Sequence, residues 1–150
     1  MPQSKSEYAA NGFAYIVAAT LVLVSAAKVF SLLGHSRILD ESDPLLRITT
    51  RHLLLAAAIV ECSVACLLVT NWTLRFKLLV IIWLSSTFVL YRFGLIALHS
   101  PKPCPCLGSA VDSLGISQHT ANMVLMTIIA FMSCGGLYFL WNTRRHGPEV

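Results

Sequence analysis

Residues 13–33 read FAYIVAATLVLVSAAKVFSLL, a stretch whose one charged side chain is Lys28. A bilayer hydrocarbon core about 30 Å thick is crossed by roughly 20 helical residues rising about 1.5 Å each. This stretch is long enough to span. Three more runs of the same kind follow, at about 53–69, 78–98 and 121–141. Apolar residues cover every side of each run, which excludes both a surface amphipathic helix and the period-two alternation of a membrane β-barrel strand. The expected fold is all-α: a four-helix transmembrane bundle forming a single domain over residues 1–150.

Composition agrees. The chain is 56% hydrophobic and 12% charged with mean hydropathy +0.71, too apolar for 150 residues to hide inside one soluble core. Membrane lipid is therefore the first partner, and neither nucleic acid nor a cofactor is expected. Val24-Ser25-Ala26 loosely resembles a signal-peptide cleavage site. The run is long for an h-region, however, and Lys5 with Glu7 makes a weak n-region, so it reads as a retained first span.

Four crossings put both termini on one side, with Lys5, Arg75, Lys77, Arg144 and Arg145; the other side carries Arg37, Arg47, Arg51 and Lys102. The pair Arg144-Arg145 directly after the last run, and Arg75 with Lys77 in a tight turn around 71–77, favour cytoplasmic termini under the positive-inside rule. The connections 34–52 and 99–120 then face outward, where in a bacterial cytoplasmic membrane disulfides persist. Trp72 and Trp141 near run ends fit an interfacial aromatic belt.

The segment most suggestive of chemistry is His99-Ser-Pro-Lys-Pro-Cys-Pro-Cys-Leu-Gly108. Pro101, Pro103 and Pro105 at alternate positions forbid a helix and stiffen the chain, and Gly108 releases it into a turn. Cys104 and Cys106 are thereby held close. A disulfide needs Cα atoms roughly 4.4 to 6.8 Å apart, which a Cys-x-Cys pair reaches only when bent, and a strained bridge is more oxidising. His99 and Lys102 would favour a thiolate. Two other readings stand beside this one. The cysteines are a static clip or reduced loop residues, or they bind metal with His35, His52, His99 or His119, although no His-x-x-x-His or paired Cys-x-x-Cys spacing supports a metal.

Lys28, Glu61 and Arg92 are charges inside the apolar runs. Counted from the outer ends they lie about 8, 12 and 9 Å deep respectively. One shared depth predicts an internal ion cluster, since Glu61 is the only acidic group available to pair within the membrane and an intramembrane carboxylate is costly alone. Independent snorkelling of Lys28 and Arg92 is the alternative. Cys62, Cys66 and Cys134 read as small apolar packing residues, with Cys62 a lesser candidate for a resolving thiol. Gly135-Gly136 and Ala56-Ala57-Ala58 read as sites of close helix contact.

Lys28 followed by a connection containing Asp43-Pro44, Glu61 in the second run and Cys104-Pro-Cys-Leu-Gly108 before the fourth together resemble the DoxX-like membrane proteins, specifically the branch containing the methylamine-utilisation protein MauE. The resemblance covers nearly the whole chain in layout. It implies redox-associated thiol–disulfide chemistry at the outer face of the cytoplasmic membrane. The lead expectation is then a redox factor in which Cys104 and Cys106 exchange with a periplasmic thioredoxin-like protein or client, assisting maturation of or electron transfer to that partner, with Lys28, Glu61, Arg92, His99 and Lys102 in support. Pro105 stands where that branch is expected to have glycine. Quinone use is not supported, because the Cys-x-x-Cys of quinone-linked thiol oxidases is absent. The competing expectation is a non-catalytic assembly subunit with structural or metal-binding cysteines.

Overall fold

The structure is a computed structural model that describes residues 5–33, 43, 46, 48–98 and 118–145. Among the described residues there are four helices, α1 (Lys5–Leu33), α2 (Thr50–Val69), α3 (Leu74–Ala97) and α4 (Gln118–Arg145). Each holds a segment long and apolar enough to cross a membrane: Glu7–Leu32, Thr50–Val69, Leu74–Ala97 and Asn122–Thr143. The chain is thus an all-α four-helix transmembrane bundle.

The helices start earlier than the apolar runs at 13, 53, 78 and 121. Polar residues such as Thr50, Arg51 and Arg75 continue the backbone hydrogen bonding past the lipid-soluble stretch, because hydropathy limits the span and not the helix. Thr49 and Thr73 hold the extended backbone of an N-cap, but neither side chain caps its helix. Thr49 instead bonds His52 Nδ1 through its hydroxyl. Lys77, expected in the turn, lies in the first turns of α3.

Helix α1 packs chiefly on α2, and α3 on α4; α1 also touches α3 and α4, joining the two hairpins. The seam between α1 and α2 has a coiled-coil period. Buried Ala10, Ala14, Val17 and Leu21 alternate steps of four and three along α1, and Ser25 and Lys28 continue the series. On α2 the buried positions are Leu54, Ala58, Glu61, Ala65 and Leu68. Such spacing keeps one stripe facing a neighbour crossed at a shallow angle. The core itself gathers Phe13, Ala14, Val17 and Leu21 with Leu68, Leu78, Ile81, Leu84 and Met132.

Gly135 and Gly136 let α4 approach α1 and α3, as expected. A Cβ on Gly135 would overlap the Phe13 ring, which sits between Phe131 at 5.3 Å and Phe139 at 5.2 Å. A Cβ on Gly136 would come within 2.9 Å of Ile82 Cγ1. Ala58, last of the three alanines on α2, is buried against α1. Cys62, Cys66 and Cys134 are unbridged and exposed, with Cys62 touching Ser25 of α1.

Candidate polar layer at the loop end of the bundle

The four helices run alternately, so one end of the bundle holds the starts of α1 and α3 with the ends of α2 and α4, and the other, from which the two longer connections leave, holds the ends of α1 and α3 with the starts of α2 and α4. The loop end carries a layer of polar side chains that a bilayer would not tolerate unpaired. Lys28 and Glu61 are 3% and 1% exposed, and Lys28 Nζ donates to Glu61 Oε1. Helical side chains lean toward the N-terminus of their own helix. Lys28 on α1 therefore leans away from the loop end, and Glu61, on the oppositely running α2, leans toward it. They meet within the seam. This direction opposes the snorkelling of Lys28 to its nearer interface.

Lys28 Nζ also lies 5.4 Å from the centroid of the Phe88 ring, bringing α3 to the pair. Cation and ring attract when water is excluded, since the ring face is negative. Glu61 Oε2 is buried without a hydrogen-bond partner, so the carboxylate keeps one acceptor unused. One turn farther from Lys28 along α1, Ser25 Oγ stands 3.2 Å from Cys62 Sγ and donates to the Ala58 carbonyl at 3.4 Å.

Arg92 is not the third member of this cluster. Its Nη2 donates to Asn122 Oδ1, joining the last turns of α3 to the first of α4. Shared depth predicted the three-charge cluster, but depth does not fix azimuth: Lys28 is in phase with the α1–α2 seam and Arg92 faces α4. The layer is two separate contacts.

Next to Arg92, Tyr91 donates its hydroxyl to Asp43 Oδ2 at 2.6 Å. Asp43 is 3% exposed; its Oδ1 accepts from the Leu46 amide at 3.0 Å, and its own amide donates to the Ile48 carbonyl at 2.8 Å. The carboxylate organises a short turn and fastens it to α3. Consecutive α3 residues thus hold the α1–α2 connection and the start of α4.

Of the residues singled out in the sequence, Lys28 and Glu61 are brought together and Arg92 is directed elsewhere. Cys104, Cys106, His99 and Lys102 lie outside the described residues. Among the described residues no three His, Cys, Asp or Glu side chains converge as metal ligands. Sequence reasoning missed Tyr91, Asn122, Ser25 and Phe88, and gave Asp43 no role beyond its motif. A signal existed for Asn122, an amide inside an apolar run at the depth of Arg92, and for Ser25, three residues before Lys28 on the seam.

The family model of methylamine utilisation protein MauE matches residues 6–139, which include all four spans almost entirely. No curated protein and no solved structure matches the chain.

Proposed function

This chain belongs to the methylamine utilisation protein MauE family, and on that premise we propose that it is a membrane-embedded thiol–disulfide redox factor of methylamine utilisation. Cys104 and Cys106 cycle between disulfide and dithiol at the outer face of the bacterial cytoplasmic membrane, with both termini in the cytoplasm. The observation that carries this reading is the bond from Arg92 to Asn122. It ties together the two helix ends from which the 98–117 connection, with its Cys-Pro-Cys segment, departs and returns. A reactive pair needs such a rigid base if it is to meet a protein partner reproducibly.

In the forward step a client thiolate attacks one sulfur of the Cys104–Cys106 bridge, breaking that S–S bond and forming a mixed disulfide. A second client thiolate then attacks the client sulfur. The client leaves as a disulfide, its electron pair now on Cys104 and Cys106, which take up the protons the client thiols lost. A periplasmic thioredoxin-like disulfide, reduced in turn, returns the protein to its oxidised form. Lys28, Glu61 and Arg92 support the bundle beneath, and His99 and Lys102 favour the thiolate.

Single Cys104→Ser and Cys106→Ser variants test the reading. One of them should accumulate a mixed disulfide with the client, and neither should complete client oxidation in cells lacking the native protein. Client oxidation unchanged by both variants would overturn the redox role, and a loss confined to bound metal would replace it with metal binding.

A further inference from the structure

The opposite end of the bundle holds a buried cation that the redox reading leaves unused. Lys77 is 5% exposed, in the first turns of α3, at the boundary where that span begins. Among the described residues no carboxylate or carbonyl accepts from its amine; what faces it is the Tyr15 ring of α1, with the Nζ 5.8 Å from the centroid. Among the described residues the side-chain polar atom that is both sealed and partnerless is Glu61 Oε2, so the Lys77 amine, on a buried side chain, keeps a small accessible surface.

Its setting is electrostatically inverted. The first turn of a helix carries the positive end of the backbone dipole and favours acidic residues. Here α3 has no acidic residue in its first turn, and Arg75 stands exposed one residue after Leu74. Thr73 supplies no side-chain cap, which leaves the leading N–H groups without a side-chain acceptor. Lysine, arginine and these amides all ask for an anion. Lys77 leans toward the helix start, and hence toward the headgroup region.

The surroundings are those of a membrane interface. Trp72 is exposed with its ring centroid 5.2 Å from that of Phe76, and on α4 the Arg145 guanidinium lies 5.1 Å from the Trp141 centroid. Such aromatic residues settle at the headgroup level. An anion held there, at the N-terminus of a membrane helix and beside two cations, has the chemistry of a phosphate carried by a lipid.

We propose that Lys77, Arg75 and the first-turn amides of α3 bind the phosphodiester of an anionic membrane lipid, with Tyr15 covering the lysine on its α1 side. The site is independent of the cysteine chemistry at the other end.

The full chain, purified in neutral detergent, is titrated with phosphatidylglycerol, phosphatidylcholine and inorganic phosphate, with bound lipid read by native mass spectrometry and stability by thermal unfolding. The wild-type protein should retain phosphatidylglycerol over phosphatidylcholine and melt at a higher temperature with it. Lys77→Gln should weaken that retention about five-fold, the factor carried by one basic side chain at a charged membrane surface. Arg75→Gln, at an exposed position where folding is not at stake, should weaken it by a similar factor and decides the matter if Lys77→Gln does not fold. Full phosphatidylglycerol preference in Arg75→Gln, or in a folded Lys77→Gln, would overturn the site. Equal stabilisation by inorganic phosphate would overturn the lipid as its ligand.

Discussion

The Tyr91 hydroxyl donates to Asp43 Oδ2 at 2.6 Å, so a residue near the end of α3 holds the connection between α1 and α2. Removing a donor from a buried carboxylate costs about 1–3 kcal/mol. Tyr91→Phe should therefore fold, lose stability by that amount, and speed hydrogen exchange at the Leu46 amide that Asp43 also holds. Native exchange at Leu46 in the variant would show that the turn stands without α3.

Lys28 and Glu61 form a pair deep in the α1–α2 seam. Breaking a buried pair by removing one partner costs about 3–5 kcal/mol, whereas replacing both by apolar side chains of similar volume is often neutral. Lys28→Met and Glu61→Leu should each be strongly destabilising, and the double variant much less so than their sum. Unfolding in mixed detergent measures all four corners of that cycle. Strictly additive losses would contradict the direct pair.

Gly135 should tolerate substitution worse than Gly136. The Phe13 ring, pinned between Phe131 and Phe139, would overlap a Cβ at Gly135 outright, whereas a Cβ at Gly136 meets Ile82 Cγ1 less severely, at 2.9 Å. Gly135→Ala should cost about 1–3 kcal/mol, the usual range for overpacking a fitted core. Adding Phe13→Leu should recover part of that loss in thermal unfolding. A Gly136→Ala variant as unstable as Gly135→Ala would shift the tight contact to α3.

In the proposed orientation Arg51 faces outward and Arg75 inward. Cysteines introduced singly at these exposed positions, in a background without the native cysteines, should react with an impermeant maleimide from opposite sides: position 51 in intact cells, position 75 only after lysis. The reverse pattern would invert the bundle and place the Cys-Pro-Cys segment in the cytoplasm.

The four spans were legible because a bilayer admits so few solutions: about 20 apolar residues in a row have little alternative to a membrane helix. Helix ends were not, since residues such as Gln118 and Arg75 are helical without being apolar. That Glu61 would be paired followed from the cost of an isolated carboxylate, and which cation it takes followed only from seam phase. Steps of three and four from Ala14 through Leu21 reach Lys28 on the helix that packs chiefly against α2, whereas Arg92 belongs to α3, which packs chiefly on α4. Lys77 misled in the other direction. A lysine three residues from a turn reads as a surface charge, and nothing in its neighbours announces Tyr15 from a helix sixty residues earlier in the chain.

The opposed lean of Lys28 and Glu61 also bears on biogenesis. Helix α1 leaves the ribosome before α2, carrying a lysine that leans into the bilayer instead of toward the nearer headgroups. Until α2 follows, that ammonium has no counterion in hydrocarbon, and the insertion machinery must shelter it. Lateral release of α1 and α2 together, as an already neutralised hairpin, avoids the exposure; α3 and α4 can then follow as a second hairpin, closing on the first where Phe13 meets the glycine of α4.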